Sequence, residues 1–199
     1  DAVLNDLNPN VIKTGMLASI EVIKLISEKI KSSKTKHIVV DPVMIAKGGD
    51  KLIQDNAVGH LISELLPLST VVTPNIPEAE VLSHMAINNT QDIESAAKII
   101  HKMGPDFVVI KGGHSNDSKS NDIIFDGQKF TTLEANRILT KNTHGTGCTY
   151  ASAIAAGLAK NYSVEKSVKE AKNYVTEAIK NEPGLGNGHG PLNHFFMLT

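Results

Sequence analysis

The stretch Thr143-His144-Gly145-Thr146-Gly147-Cys148 has the residue types and spacing best suited to chemistry in this chain. Glycines ahead of a helical segment let backbone N–H groups converge on an anion at the positive end of the helix dipole. A cysteine set in that first turn is expected to favour its thiolate form, a nucleophile or base. A second reading stands level with this one from spacing alone: a tight turn entering a packed helix, with an inert thiol. The loop is not of the Walker type, because no Gly-x-x-x-x-Gly-Lys-Ser/Thr occurs in the sequence.

Other unusual residues follow short apolar runs. Gly15-Met16 follows the first, Asp41-Pro42-Val43-Met44 the second, Thr73-Pro74-Asn75-Ile76-Pro77-Glu78 the third and Lys111-Gly112-Gly113-His114 the fourth. Asn75 and Glu78 have the spacing of a capping box, and on pattern that reading comes first. The alternative is that Glu78, one turn into its helix, holds Mg²⁺ directly or through water beside a phosphate. Asp41 either terminates its strand ahead of a proline or faces a ligand. Lys111 leaves an apolar strand into two glycines, where a cation can meet phosphate and the backbone can approach closely.

The histidines show no metal-ligand spacing such as His-Glu-x-x-His, and His37, His60, His84 and His101 occupy ordinary strand or helix positions. The tail Gly184-Leu185-Gly186-Asn187-Gly188-His189-Gly190 has the spacing of a dinucleotide fingerprint without the strand before it or the helix after it, so it is not read as one.

These residues need a scaffold that brings separate loops to one edge. Val11–Thr14, His37–Val40, Thr70–Thr73 and Phe107–Ile110 are predicted strands. Helical periodicity separates them, first in Ile20, Ile23, Ile26 and Ile30, then from about Asp55 to Leu66 with a stop at Pro67. Two more helices are expected at about Pro77 to His84 and Gln91 to Met103. Runs that are apolar throughout point to an α/β fold with a mostly parallel sheet flanked by helices on both faces. Asp122–Asp126 and Lys129–Leu133 are predicted to add an antiparallel edge hairpin. An Ala-rich helix from Gly147 to Lys160 follows, then a long helix with Val164, Val168, Ala171, Val175, Ala178 and Ile179 on one face. In such sheets ligands bind beyond the carboxyl ends of the strands, so the five loops predict a single site.

The chain has 199 residues, 20 Lys+Arg, 21 Asp+Glu, one cysteine, no tryptophan and 4% aromatic residues. The charge balance gives no footprint for nucleic acid or an anionic membrane, and few aromatics are present to stack bases. No apolar run approaches the roughly 18 residues of a membrane span, and a lone cysteine forms no intrachain disulfide. The expectation is a soluble cytoplasmic protein whose partners are small molecules, not nucleic acid or membrane.

Taken in order, Ile12-Lys13-Thr14-Gly15-Met16-Leu17, Asp41-Pro42-Val43-Met44 with Ala46-Lys47, Thr73-Pro74-Asn75 with Glu78-Ala79-Glu80, Ile110-Lys111-Gly112-Gly113-His114 and Thr143-His144-Gly145-Thr146-Gly147-Cys148-Thr149 resemble the signatures of the hydroxymethylpyrimidine/phosphomethylpyrimidine kinases. These belong to the ribokinase-like superfamily and act in thiamine biosynthesis. The resemblance extends to the tail Gly186-Asn187-Gly188-His189-Gly190-Pro191-Leu192-Asn193-His194-Phe195.

It implies ATP-dependent phosphorylation of 4-amino-5-hydroxymethyl-2-methylpyrimidine and then of its monophosphate, with ATP and Mg²⁺ as cofactors. Cys148 would take the hydroxyl proton, and Gly145, Thr146 and Gly147 would stabilise the transferred phosphoryl group. Asn75 and Glu78 match the Mg²⁺ and phosphate motif. Met16 and Val43, with Asp41 beside them, match the substrate pocket. Lys111, Gly112, Gly113 and Thr143 would contact the nucleotide. A homodimer is plausible by the same resemblance.

Two rivals stand beside this reading. A pyridoxal or pyridoxine kinase of the same superfamily shares the Gly-x-Gly-Cys loop, and a non-catalytic pyrimidine- or nucleotide-binding protein would share the fold. The family also begins with a segment of several tens of residues that Asp1 to Asn10 do not match. The expectation is therefore one ribokinase-like kinase domain over residues 1–199, truncated at its N-terminus.

Overall fold

The structure is a computed structural model that describes residues 1–44, 52–54, 56–114 and 119–198, with the backbone alone at residue 114. The Ala46-Lys47 pair and the anticipated helix start at Asp55 lie outside the described residues, as does the side chain of His114.

The strands β1 (Val11–Thr14), β2 (His37–Val40), β3 (Val71–Val72) and β4 (Phe107–Ile110) run parallel in that spatial order. The hairpin strands β5 (Asp122–Phe125) and β6 (Phe130–Leu133) continue the sheet antiparallel beyond β4. The Asp126 side chain closes that hairpin by accepting from the amides of Gln128 and Lys129, and Gly127 takes the left-handed conformation the turn needs, with φ 89°.

Strand residues alternate between two cores. Ile38, Val40, Val72, Val108 and Ile110 point to one, which is closed by α2 (Ile20–Ser32), α3 (Ala57–His60), α4 (Ile76–Ser83) and α5 (Thr90–His101). Val39, Val71, Val109 and Ile124 point to the other, beneath α6 (Thr146–Ala159) and α7 (Val164–Lys180). Both faces are thus dry, which is why the strand sequences read as unbroken apolar runs. Right-handed crossovers that advance one strand at a time leave their helices on one face, so the opposite face is free for α6 and α7.

Three features depart from the expected elements. A short helix, α1 (Ala2–Asp6), precedes β1. Pro67 does not simply stop the α3 segment: after His60 the chain widens into one π turn, Leu61–Leu65, then tightens into a 3₁₀ turn, Leu66–Leu68. Pro67 sits at the start of that last turn, where its missing N–H removes no hydrogen bond the turn requires. A 3₁₀ turn also forms at Gly112–His114, directly after β4.

The α6–α7 pair is held at close range by Gly157. A β-carbon there would lie 2.6 Å from Ser167 Oγ and 2.8 Å from Ser167 Cβ. Gly157→Ala should therefore destabilise the protein by about 1–3 kcal/mol, the cost of overpacking, despite alanine's higher helix propensity. Urea denaturation monitored by circular dichroism measures the change; a stabilised variant would show that the helices separate freely.

Candidate active site

Parallel strands β1 to β4 all end at the same edge, and the loops leaving them meet there. The centre of that edge is the carboxylate of Asp41. It is only 2% exposed, and Oδ1 accepts a 3.0 Å hydrogen bond from Lys111 Nζ and one from the Thr73 hydroxyl at 3.4 Å. Lys13 Nζ lies 4.0 Å from Oδ2, an atom with no hydrogen-bond partner among the described residues. A buried carboxylate of this kind persists because two cations offset its desolvation.

Backbone pairing fixes these groups. The Asp41 amide donates to Thr14 O and the Lys111 amide to Pro74 O, which continues the parallel ladder one residue past each strand. Asn75 and Lys111 form an isolated parallel bridge at that point.

Asn75 and Glu78 form the capping box. The Glu78 amide donates to Asn75 Oδ1 at 2.9 Å and the Asn75 amide to Glu78 Oε2 at 2.8 Å. The structural role of the pair is therefore realised, and it leaves the Glu78 carboxylate buried at the ligand edge. Burial pushes the Glu78 pKa up; the Lys111 charge and the amides of Asn75 and Met44 oppose that shift, while Asp41 adds to it.

Helix α6 brings the glycine loop to the same place. Gly145 is its N-cap, with φ 80°, and no side chain caps the first turn. Position 147 faces the charged pair: a β-carbon there would lie 3.4 Å from Lys111 Nζ and 4.0 Å from Asp41 Oδ2. Amides at a helix start, without a side-chain cap and next to a lysine, make an anion site. Cys148 follows on the exposed side of the turn. Thr143 contributes its carbonyl, which accepts from the Thr146 hydroxyl at 2.7 Å.

Met16 stands at the end of β1 with 57% of its surface exposed, and Val43 is half-buried, its amide donating to Asp41 O. Gly112 is buried and Gly113 exposed. The guanidinium of Arg137 donates to the carbonyls of both glycines.

Asp41, Lys111, Asn75, Glu78 and Gly147 thus converge as the loop order implied. Sequence reasoning did not single out Lys13 as a site residue, nor Arg137, nor Asp122, whose buried carboxylate accepts from the Gly112 amide at 3.0 Å. Lys13 precedes the Gly15-Met16 pair on a strand whose neighbours are apolar, and that charge within an apolar run was the available signal. Arg137 carried none.

No group of three or more His, Cys, Asp or Glu is placed to hold a metal ion among the described residues. The donors fit the sparser arrangement typical of Mg²⁺, in which one or two carboxylates act together with water and phosphate oxygens, because Asp41 Oδ2 is an uncommitted buried acceptor beside Glu78.

A family model described as phosphomethylpyrimidine kinase matches residues 1–193. The chain is 46% identical over 196 residues to the hydroxymethylpyrimidine/phosphomethylpyrimidine kinase of Bacillus subtilis, covering 98% of this chain and 72% of that protein. Among solved structures, the pyridoxal kinase from Staphylococcus aureus in complex with AMP-PCP and pyridoxal is similar, with a TM-score of 0.90 and 38% identity over 97% of this chain and 70% of that one. A phosphomethylpyrimidine kinase from Clostridium difficile gives 0.78 at 39% identity, covering 89% of this chain and 72% of that one.

Three substitutions test the electrostatics. Lys111→Met should cost about 3 kcal/mol in denaturant unfolding, because it leaves Asp41 buried with only the more distant Lys13. Adding Asp41→Asn should return part of that loss; strictly additive effects would mean that the two groups do not interact. Glu78 binds its proton more tightly when folded than in the unfolded chain, whose value is near 4.5. Its ionisation therefore lowers stability progressively as pH rises from about 4.5 through the raised native value, and is without effect below that window. Relative to Glu78→Gln, which keeps the cap, the wild-type Tm should fall across that interval; parallel Tm–pH curves would exclude the assignment.

Proposed function

The chain belongs to the phosphomethylpyrimidine kinase family, and we propose that it transfers the γ-phosphoryl group of ATP to 4-amino-5-hydroxymethyl-2-methylpyrimidine and then to the resulting monophosphate. The observation that carries this reading is the junction of the uncapped first turn of α6 with Lys111 and Asp41 at the carboxyl edge of the sheet. Phosphoryl transfer requires mainly positioning and charge neutralisation, which amides and a fixed lysine supply. Residues 1–199 act here as one kinase domain, and a homodimer in the cytoplasm is part of the same reading, supported by the family resemblance.

Lys111 meets the nucleotide phosphates, and Gly112, Gly113 and Thr143 line the nucleotide side of the site. The amides of Gly145, Thr146 and Gly147 face the transferred group. Met16 and Val43 line the pyrimidine side, with Asp41 between substrate and lysine. In the first reaction, the substrate oxygen forms its bond to the γ-phosphorus as the bond to the β–γ bridging oxygen breaks, releasing ADP. The hydroxyl proton passes to Cys148 Sγ. Glu78, through water, and Asn75 would hold Mg²⁺, which neutralises phosphate charge. The Asp41 carboxylate, 3.0 Å from Lys111 Nζ, holds that lysine in place.

The second phosphorylation differs in one respect. Its acceptor is a phosphate oxygen, and a phosphate monoester with a second pKa of about 6 is already largely dianionic above neutrality. A base is needed for the alcohol and not for the phosphate. Cys148→Ala should lower turnover of the hydroxymethylpyrimidine by about 10²-fold or more, and that of its monophosphate much less at pH 8.

A coupled ADP-release assay with each acceptor measures both rates. Near-normal turnover of the alcohol by the variant would remove Cys148 from the mechanism. Pyridoxal belongs in the same assay, because the similarity to pyridoxal kinase structures favours it as the second candidate acceptor. Turnover of pyridoxal alone would reassign the substrate, and no turnover of any acceptor by the wild type would favour a binding protein.

A further inference from the structure

Behind the loop after β4 lies a second buried ionic cluster that none of the steps above uses. Its centre is Asp122, the first residue of β5, 2% exposed. Oδ1 accepts from the Gly112 amide at 3.0 Å and lies 2.9 Å from Lys172 Nζ of α7. Oδ2 accepts from the Tyr150 hydroxyl of α6 at 2.9 Å. Lys172 also donates to Ser120 O at 2.6 Å, and Tyr150 is 3% exposed. Burial and the Asp122 charge keep the Tyr150 phenol protonated, its pKa well above the ordinary value, so it is a donor at all working pH values.

The connections matter because of what lies at their far ends. Gly112 adjoins Lys111, and Tyr150 is two residues beyond Cys148 on the same helix. The Gly112 backbone is pressed against the chain that leads into β5, since a β-carbon on it would stand 1.9 Å from Asn121 O. One carboxylate therefore ties the lysine-bearing turn, the helix whose first turn forms the anion site, and α7 behind it into a single unit.

We propose that Asp122 is a positioning residue for phosphoryl transfer: by gripping Gly112 and Tyr150 together, it holds the Lys111 turn and the start of α6 in fixed relation across the transferred group. This rests on the kinase reading given above. Such fixing belongs to the transition state more than to substrate binding, because a displacement of about 1 Å between catalytic groups costs up to 10²-fold in rate. Asp122 itself touches neither substrate nor nucleotide.

Tyr150→Phe severs the tie to α6 by deleting one hydroxyl, and Asp122→Asn keeps an acceptor for Gly112 while removing the charge. Both should lower kcat by about tenfold or more, with KM for the pyrimidine within about threefold of wild type, at temperatures where the variants are fully folded by circular dichroism. Lys172→Arg should preserve activity by keeping the cation. Ile100→Val, a core truncation in α5 on the opposite face, provides a destabilised control with unchanged kcat.

Amide exchange adds a readout that needs no turnover: peptides covering Ile110–Gly113 and Thr143–Tyr150 should both exchange faster in Tyr150→Phe. Unchanged kcat in folded Tyr150→Phe and Asp122→Asn overturns the positioning role. Faster exchange in one segment alone overturns the coupling. Absence of ADP release from the wild type with every acceptor defeats the kinase reading instead, while the exchange result still decides whether Asp122 couples the two segments.

Discussion

The site depends on one buried charge, the Asp41 carboxylate at the end of β2. A carboxylate that is 2% exposed is tolerated only with compensation, and the compensation comes from Lys111 at the end of β4, with Lys13 on β1 beyond hydrogen-bond range. Those strands are separated by whole crossover units, so the charge constrains the register of distant parts of the chain. The parallel sheet makes this possible by ending all four strands at one edge. In return, Asp41 prevents Lys111 from wandering as a flexible surface lysine would, and presents its ammonium to position 147 at the head of α6.

Much of this was legible in the sequence, for physical reasons that differ between elements. The strands of the parallel core were readable because burial on both faces leaves only apolar residues, and β1, β2 and β4 have the bounds that the runs Val11–Thr14, His37–Val40 and Phe107–Ile110 suggest. The amphipathic helices α2 and α7 declare themselves by their period. The segment around Pro67 was harder, because a proline inside an apolar periodic run can end a helix or open a tighter turn, and only the packing of Leu65 and Leu66 into the core decides between them.

Within the site, the local patterns were visible and the long-range pairings were not. The Asn75–Glu78 box is a spacing of three and can be read directly. The pairing of Asp41 with Lys111 spans 70 residues, and that of Asp122 with Tyr150 spans 28. Nothing in either segment names the other; the sheet order supplies the connection. The capping and functional readings of Glu78 also prove compatible, since the cap is what brings a carboxylate into the dry end of α4, where burial raises its pKa.

The glycine-rich tail shows how a motif can mislead in kind and still be informative in place. Its spacing mimics a dinucleotide fingerprint, yet the structure uses it as a clip on the loop before α6. The His144 amide donates to Gly190 O, the Gly190 amide donates to Asn142 Oδ1, and Asn142 in turn donates to Glu182 Oε2 just past α7. Gly190 has no room for a side chain, since a β-carbon would lie 2.5 Å from Asn142 Oδ1. An uncapped helix start is a good anion site only if the loop feeding it is held from elsewhere, because a side chain that capped the turn would occupy the amides the anion needs. The tail resolves that conflict by binding the loop through Asn142 and through His144, one residue upstream of Gly145, and leaves the first turn of α6 without a side-chain cap.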